Sequence, residues 1–190
     1  LCHQPRPGSV LVDAGYGFAQ PAFQTGLDAV CAAVETCGTA SLSVAHAHTC
    51  TSLGYFTEQI ARRGFIAIGF TNASPIVAGP GGKDRIIGTN PIAFSVPDGA
   101  GELAVHFDFS TSAVALGKIT RAKAAGEAIP LGWAVDAHGM PTTDPDAALG
   151  GALLSVWPLT ITSVSRQFHF GRSGLILKYS VARLTPPNIA

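Results

Sequence analysis

The sequence predicts a mixed α/β fold, a sheet carrying helices on its faces. Three observations predict it. Apolar residues recur at helical spacing in two separate segments, at Phe23, Leu27, Val30 and Val34 and again at Leu53, Phe56 and Ile60. Apolar runs of strand length alternate with those segments. Two further strand-like runs then follow one another around a glycine-rich turn before another helix, so the chain begins as α/β and becomes α+β.

In chain order, residues 1–9 are rich in proline and glycine and read as a loop. Val10 to Asp13 is a short strand, and Gly15-Tyr16-Gly17 turns the chain. Pro21 suits the first turn of a helix, where its missing N–H is no loss, and Gly38 stops that helix. Thr39 to Ala45 alternates small and apolar residues as a strand does. A polar turn from His46 to Ser52 leads into a second helix that Gly64 closes. Phe65 to Phe70 is a continuous apolar run and reads as a central, buried strand. Residues 72–91 form a loop of Gly, Pro and Asn too long for a simple connector, and such loops are commonly functional. Ile92 to Val96 and Leu103 to Phe109 are strands around Asp98-Gly99-Ala100-Gly101. Ser110 or Thr111 can cap a helix running from about Thr111 to Ala125, ended by Gly126. Residues 130–146 hold several turns, and Pro141-Thr142-Thr143-Asp144-Pro145 is a capping signal.

Composition excludes several classes. Apolar residues make up 47% and charged residues 13%, the reverse of a disordered chain. So few charges point to surface covered by another subunit or by further sequence. Twelve basic and 12 acidic residues balance, with no basic stripe, so no nucleic-acid partner is expected. No apolar run approaches the ~20 residues of a membrane helix, and Leu1-Cys2-His3-Gln4-Pro5-Arg6-Pro7 lacks the charged and apolar regions of a signal peptide. Four cysteines (Cys2, Cys31, Cys37, Cys50) without CxxC spacing fit a reducing cytoplasm rather than a disulfide framework. The chain begins at Leu1 and its one methionine is Met140, which favours a truncated N-terminus.

Neither a GxGxxG turn nor a P-loop is present, so a nucleotide would have to be held in another way. His46, His48 and Cys50 lie at i, i+2 and i+4. On a continued strand all three would share one face, a spacing that suits a metal site such as a metal-dependent hydrolase would use; a polar strand end with one useful histidine is the favoured reading. His48 alone could be a general acid or base near neutral pH, or a hydrogen-bonded structural histidine. Asp108-Phe109-Ser110-Thr111-Ser112 sits where a strand should feed a helix, and could hold an anion at the helix N-terminus or simply cap it. Gly79-Pro80-Gly81-Gly82 and Gly88-Thr89-Asn90-Pro91 make the long loop tightly turned, which permits close approach to a ligand.

Taken in order, these segments resemble the malate/L-lactate dehydrogenase-like family of NAD(P)H-dependent oxidoreductases. The pieces that carry the resemblance are His48 through Gly54-Tyr55-Phe56, Phe70 to Pro75, Gly88-Thr89-Asn90-Pro91-Ile92-Ala93, Asp108 to Ser112 with Gly117-Lys118, Trp133 to Asp136, and Pro141 to Pro145. They span about residues 10 to 154, and the order of the Gly88 and Pro141 motifs is specific. Within that family the sequence looks most like the reductases of cyclic imino acids such as delta-1-pyrroline-2-carboxylate and delta-1-piperideine-2-carboxylate.

The resemblance implies a non-Rossmann, largely antiparallel sheet flanked by helices and an NAD(P)-binding homodimer. It implies hydride transfer to a 2-keto acid or a cyclic 2-imino acid with NADPH or NADH. His48 matches the family's proton donor/acceptor, although its spacing to Gly54 is one residue longer than in many members, which keeps His46 a candidate. Ala73 matches a cofactor-contacting position, and Asp108, Phe109 and Ser110 match the segment along the dinucleotide. Residues 1–154 are thus expected to be a partial oxidoreductase domain, lacking the family's N-terminal Ser-His-Gly segment. Residues 155–190, from Ser155-Val156-Trp157-Pro158 on, depart from the family as a frame-shifted tail would, with Leu159 to Val164 alternating like a strand. An inactive remnant of the family is the expectation that competes with an active enzyme.

Overall fold

The computed structural model describes residues 1–156 and, as backbone, the strand residues 175–183. Contacts divide the chain into two compact units. The first comprises residues 1–72, 91–109 and 172–190, and the second residues 73–90 and 110–171.

The first unit opens with β1 (Cys2–Arg6), paired antiparallel to β2 (Ser9–Asp13). The Pro/Gly-rich start is therefore an edge strand and not a loop; prolines are tolerated there because one side of an edge ladder needs no donor. Helix α1 (Ala19–Cys37) follows, ending at Gly38 in a positive-φ conformation (φ 76°). Its Phe23, Leu27, Val30 and Val34 are buried, as their spacing predicts. β3 (Thr39–Ala47) returns parallel to β2, so β2–α1–β3 is a βαβ unit with both strands' carboxyl ends on one side. Helix α2 (Gly54–Ala61) buries Phe56 and Ile60.

β4 (Phe65–Thr71) is central, as expected, but buried on one face only: Phe65 and Ala67 are buried while Phe70 is exposed. The long loop is not structureless; it carries β5 (Val77–Ala78) and β6 (Arg85–Ile87), which belong to the second unit. β7 (Ile92–Pro97) and β8 (Leu103–Phe109) form the predicted hairpin.

The second unit continues with α3 (Leu116–Ala125), β9 (Ala134–Val135), β10 (Pro141–Thr142), α4 (Pro145–Gly150) and β11 (Ala152–Leu153). Helix α3 starts several residues later than the sequence predicts, behind Ala115 with no side-chain cap. Asp144 does cap α4, accepting from the Asp146 N–H, with Pro145 at the first turn. A five-stranded sheet orders β10-β9-β11-β5-β6 over a core of Val77, Val114, Ile119, Ile129, Ala134 and Leu153.

The last strand, β12 (Leu175–Arg183), lies in the first unit between β3 and β4, antiparallel to both. The resulting seven-stranded sheet runs β1-β2-β3-β12-β4-β7-β8, and β2–β3 is its one parallel pair among these strands. The largely antiparallel, non-Rossmann character is thus present. Helices α1 and α2 bury one face, where Val10, Val12, Leu42, Val44, Phe65, Ala67 and Ala93 join the helix residues in a single core. Leu159 to Val164 lies outside the described residues. No helix among the described residues is long and apolar enough to cross a membrane.

Candidate active site

The strand that carries the histidines does not continue to Cys50. β3 ends at Ala47, and His46 has a left-handed backbone (φ 51°), which breaks the alternation of its side chains. His46 is half-buried, His48 exposed and Cys50 buried, so the three do not share a face. Burial, and then the negative charge of Asp108, push the Cys50 thiol up to about 11, so it keeps its proton near neutral pH and is a poor metal ligand. Among the described residues no group of three His, Cys, Asp or Glu side chains could hold a metal ion. The metal-site reading of His46, His48 and Cys50 fails on this geometry.

His48 stands on the exposed turn after β3. Its backbone N–H donates to the Gly17 carbonyl (2.8 Å), and Phe18 meets its ring edge-on at a 5.8 Å centroid distance. His46 lies back over the strand end. Its Nδ1 is 3.0 Å from Oδ1 of Asp13, the last residue of the parallel neighbour β2, and the Tyr16 ring is 5.2 Å away. Asp13 also accepts from the Gly15 N–H (2.8 Å). That donor first, and His46 second, hold the Asp13 carboxyl below the usual carboxylate range. Sequence reasoning missed Asp13: 33 residues separate it from His46, and only the parallel β2–β3 register brings them together.

Asp108, on β8, reaches back to the same turn. Its Oδ2 accepts from the Ser52 hydroxyl (2.9 Å) and from the Gly54 N–H (2.8 Å), which is an orphan donor at the start of α2. β8 crosses so close that a Cβ at Gly54 would lie 3.0 Å from both Asp108 Cβ and His106 Cε1. Behind this contact a polar chain runs through the unit. The Ser95 hydroxyl donates to Thr57 (2.9 Å), so His106 Nδ1 (2.8 Å away) must donate to Ser95, which fixes the tautomer. Phe109, next along β8, keeps 40% of its surface exposed.

Ala73 and Ser110 belong to the second unit. The Ala73 N–H donates to Asn90 Oδ1 (3.0 Å), and Asn90 takes a left-handed backbone (φ 31°). Gly88 sits against this contact: a Cβ there would be 2.2 Å from the Ala73 carbonyl oxygen. Thr111 donates from its N–H (2.9 Å) and its hydroxyl (3.0 Å) to the Thr89 carbonyl. The loop motifs at 73 and 88–90 and the segment at 110–112 therefore come together within this unit. Ser110 is not at a helix N-terminus, because α3 begins at Leu116; its hydroxyl lies 2.9 Å from that of Ser112. No helix dipole is therefore available at Ser110 to hold an anion.

A profile of the malate/L-lactate dehydrogenase family matches residues 2–178. The chain belongs to this family. This malate/L-lactate dehydrogenase family member is 43% identical over 148 residues to the (2R)-3-sulfolactate dehydrogenase (NADP(+)) of Chromohalobacter salexigens, a match covering 77% of this chain and 44% of that protein. It is also 43% identical over 153 residues to the Delta(1)-pyrroline-2-carboxylate/Delta(1)-piperideine-2-carboxylate reductase of Pseudomonas aeruginosa, covering 80% of this chain and 46% of that protein. The chain thus spans about half the length of the curated relatives it matches. Among solved structures, a dehydrogenase from Sinorhizobium meliloti superposes with a TM-score of 0.82 at 26% identity, over 96% of this chain and 59% of that one. The delta1-piperideine-2-carboxylate reductase of Pseudomonas syringae pv. tomato gives 0.78 at 29%, over 94% and 61%. The family and the mixed α/β fold expected from the motifs are therefore present, and the profile match runs past residue 154 to residue 178.

Proposed function

We propose that this family member serves NAD(P)H-dependent hydride transfer to the carbon alpha to a carboxylate, in a 2-keto acid or a cyclic 2-imino acid. The observation that carries the reading is the 43% identity to a sulfolactate dehydrogenase and to a cyclic imino acid reductase across most of this chain. NADPH or NADH, when bound, supplies the hydride. His48 gives a proton to the developing oxygen or nitrogen and takes it back in the reverse direction; its exposure at the end of β3 leaves the imidazole accessible to a ligand.

Ala73, Asp108, Phe109 and Ser110 are the residues proposed to hold the dinucleotide. Their chemistry fits its neutral parts better than its phosphates. Asp108 Oδ1 has no partner among the described residues and suits a ribose hydroxyl; Phe109 offers an exposed ring face and Ser110 a hydroxyl. We further infer a homodimer, supported by the low charge and by exposed aromatic residues on the sheet, and a reducing cytoplasmic setting, supported by four free cysteines.

Fluorescence titration of the purified chain with NADPH and with NADH is the first test. Saturable binding followed by cofactor consumption with cyclic imino or 2-keto acids is the expected result. A folded chain blind to both cofactors would reduce the family label to ancestry. In an active chain His48→Ala should lower turnover by roughly 10²–10⁴-fold while cofactor affinity stays nearly unchanged. Turnover equal to that of the parent would remove His48 from the mechanism.

A further inference from the structure

In open sheets ligands gather outside the carboxyl ends of parallel strands. The first unit has one such place, where β2 and β3 end side by side. Asp13 closes β2, His46 and His48 close β3, and the exposed rings of Tyr16 and Phe18 stand on the intervening turn. The resemblance accounts for His48. It leaves unexplained an imidazole and a carboxylate paired at 3.0 Å, each still partly open to solvent (34% and 44% of the side chain).

The backbone is bent to make this pair. Four non-glycine residues among those described have positive φ; Tyr16 and Thr51 lie on the turns that follow β2 and β3, and His46 is the last residue but one of β3 itself. A left-handed backbone on a histidine costs on the order of 1–2 kcal/mol and persists only where the surroundings enforce it. Here the Tyr16 N–H donates to the His46 carbonyl (2.7 Å), and Asp13 engages Nδ1. With Nδ1 fixed against a carboxylate, Nε2 is the atom left to meet a ligand, and no described residue hydrogen-bonds it.

We propose that His46, oriented by Asp13, is a second proton-transfer residue of this site, with Asp13 its positioning residue. The inference rests on the hydride-transfer reading. Reduction of a carbonyl or imine consumes one proton per hydride. His48 hands that proton to the substrate oxygen or nitrogen as the C=O or C=N π bond opens; the proton that restores the His48 imidazolium leaves Nε2 of His46, and the His46 imidazole is then reprotonated from water. The Asp13 carboxylate stays ionised throughout and holds the ring by its Nδ1. Besides Asp13, the ionisable groups around His46 are the Tyr16 phenol on the β2–α1 turn, His48 beyond Ala47, and the Leu1 ammonium, which donates to the Asp13 carbonyl (3.0 Å).

Steady-state turnover with a 2-keto acid or cyclic imino acid, as a function of pH, tests it in the full chain. The variants are His46→Asn, His48→Asn and Asp13→Asn. Asparagine tolerates a left-handed backbone and cannot carry a titrating proton, so His46→Asn preserves the turn. His46→Gln serves as the second variant should the first fold poorly by circular dichroism. We expect kcat to fall roughly 10²-fold in His46→Asn or His46→Gln, with KM within about twofold. Asp13→Asn should lower kcat by less than the His46 variants do, again with KM within about twofold, because the carboxylate that holds Nδ1 and so orients Nε2 is gone. Parental turnover and pH profile in both His46 variants, with loss confined to His48→Asn, would overturn the inference while leaving the hydride-transfer reading intact. A parent chain that consumes no cofactor with either substrate class would overturn both.

Discussion

At the scale of single residues, Asp108 shows how one carboxylate can answer two demands. Its Oδ2 ties Ser52 and the first N–H of α2 to β8, which fixes the turn that carries His48. Asp108→Ala should therefore destabilise the fold by about 1 kcal/mol, the net worth of exposed hydrogen bonds of this kind, as denaturant titration can measure. It should also weaken NADPH binding; an unchanged Kd would leave Asp108 a tether and nothing more. Cys50 makes a second prediction. An unfolded thiol loses its proton near 9.0, whereas buried Cys50 holds it to about 11. Between those values the folded state binds more protons, so stability should fall as pH rises from 9 towards 11, by on the order of 2 kcal/mol. Cys50→Ala should flatten that fall, and an equal slope in parent and variant would refute the assignment. His48 was singled out in the sequence because a motif surrounds it, and its proton-transfer role is a proposal. The Asp13–His46 pair was not, because linear spacing carries no information about which strands lie parallel.

Elements were legible where one rule governed them. Helix α1 has a helical apolar face, a proline in its first turn and a glycine at its end, and all three features agree with the structure. α3 was misread at its start because Ser110 and Thr111 look like caps; their hydroxyls instead bond to Ser112 within the segment and to the loop at 88–89. β1 was missed because proline argued against a strand, and only its edge position allows it. The capping signal at Pro141 to Pro145 was read correctly, and Asp144→Ala should cost about 1 kcal/mol through the lost cap of α4. Gly88→Ala should cost more. A Cβ 2.2 Å from the Ala73 carbonyl meets backbone, which cannot rotate away, so the loop itself must move. Thermal unfolding of the two variants should rank them in that order, and a Gly88→Ala protein as stable as its parent would mean that the 73–90 loop is not held as described.

For the molecule as a whole, β12 could not be foreseen. It inserts between β3 and β4 from more than 100 residues downstream, and strand order in a sheet is a property of the folded chain. The sheet also has a consequence that composition hinted at. Helices α1 and α2 cover one face; the other carries in-register apolar rows, Phe70 with Ile92 and Phe109, and Ile68 with Phe94 and Phe107. Phe70, Phe107 and Phe109 are each at least 40% exposed, and β8 is an edge strand. An exposed aromatic face ending on an open edge is a surface for association. Sedimentation at increasing concentration should therefore show the chain forming a dimer or larger species and binding a hydrophobic dye. Phe107→Ser with Phe109→Ser should shift it toward monomer and lower dye binding, with the buried core untouched because both side chains lie outside it. If the parent sediments as a monomer at every concentration and binds no dye, this face is covered by other means, and the homodimer proposed for this chain loses its structural support.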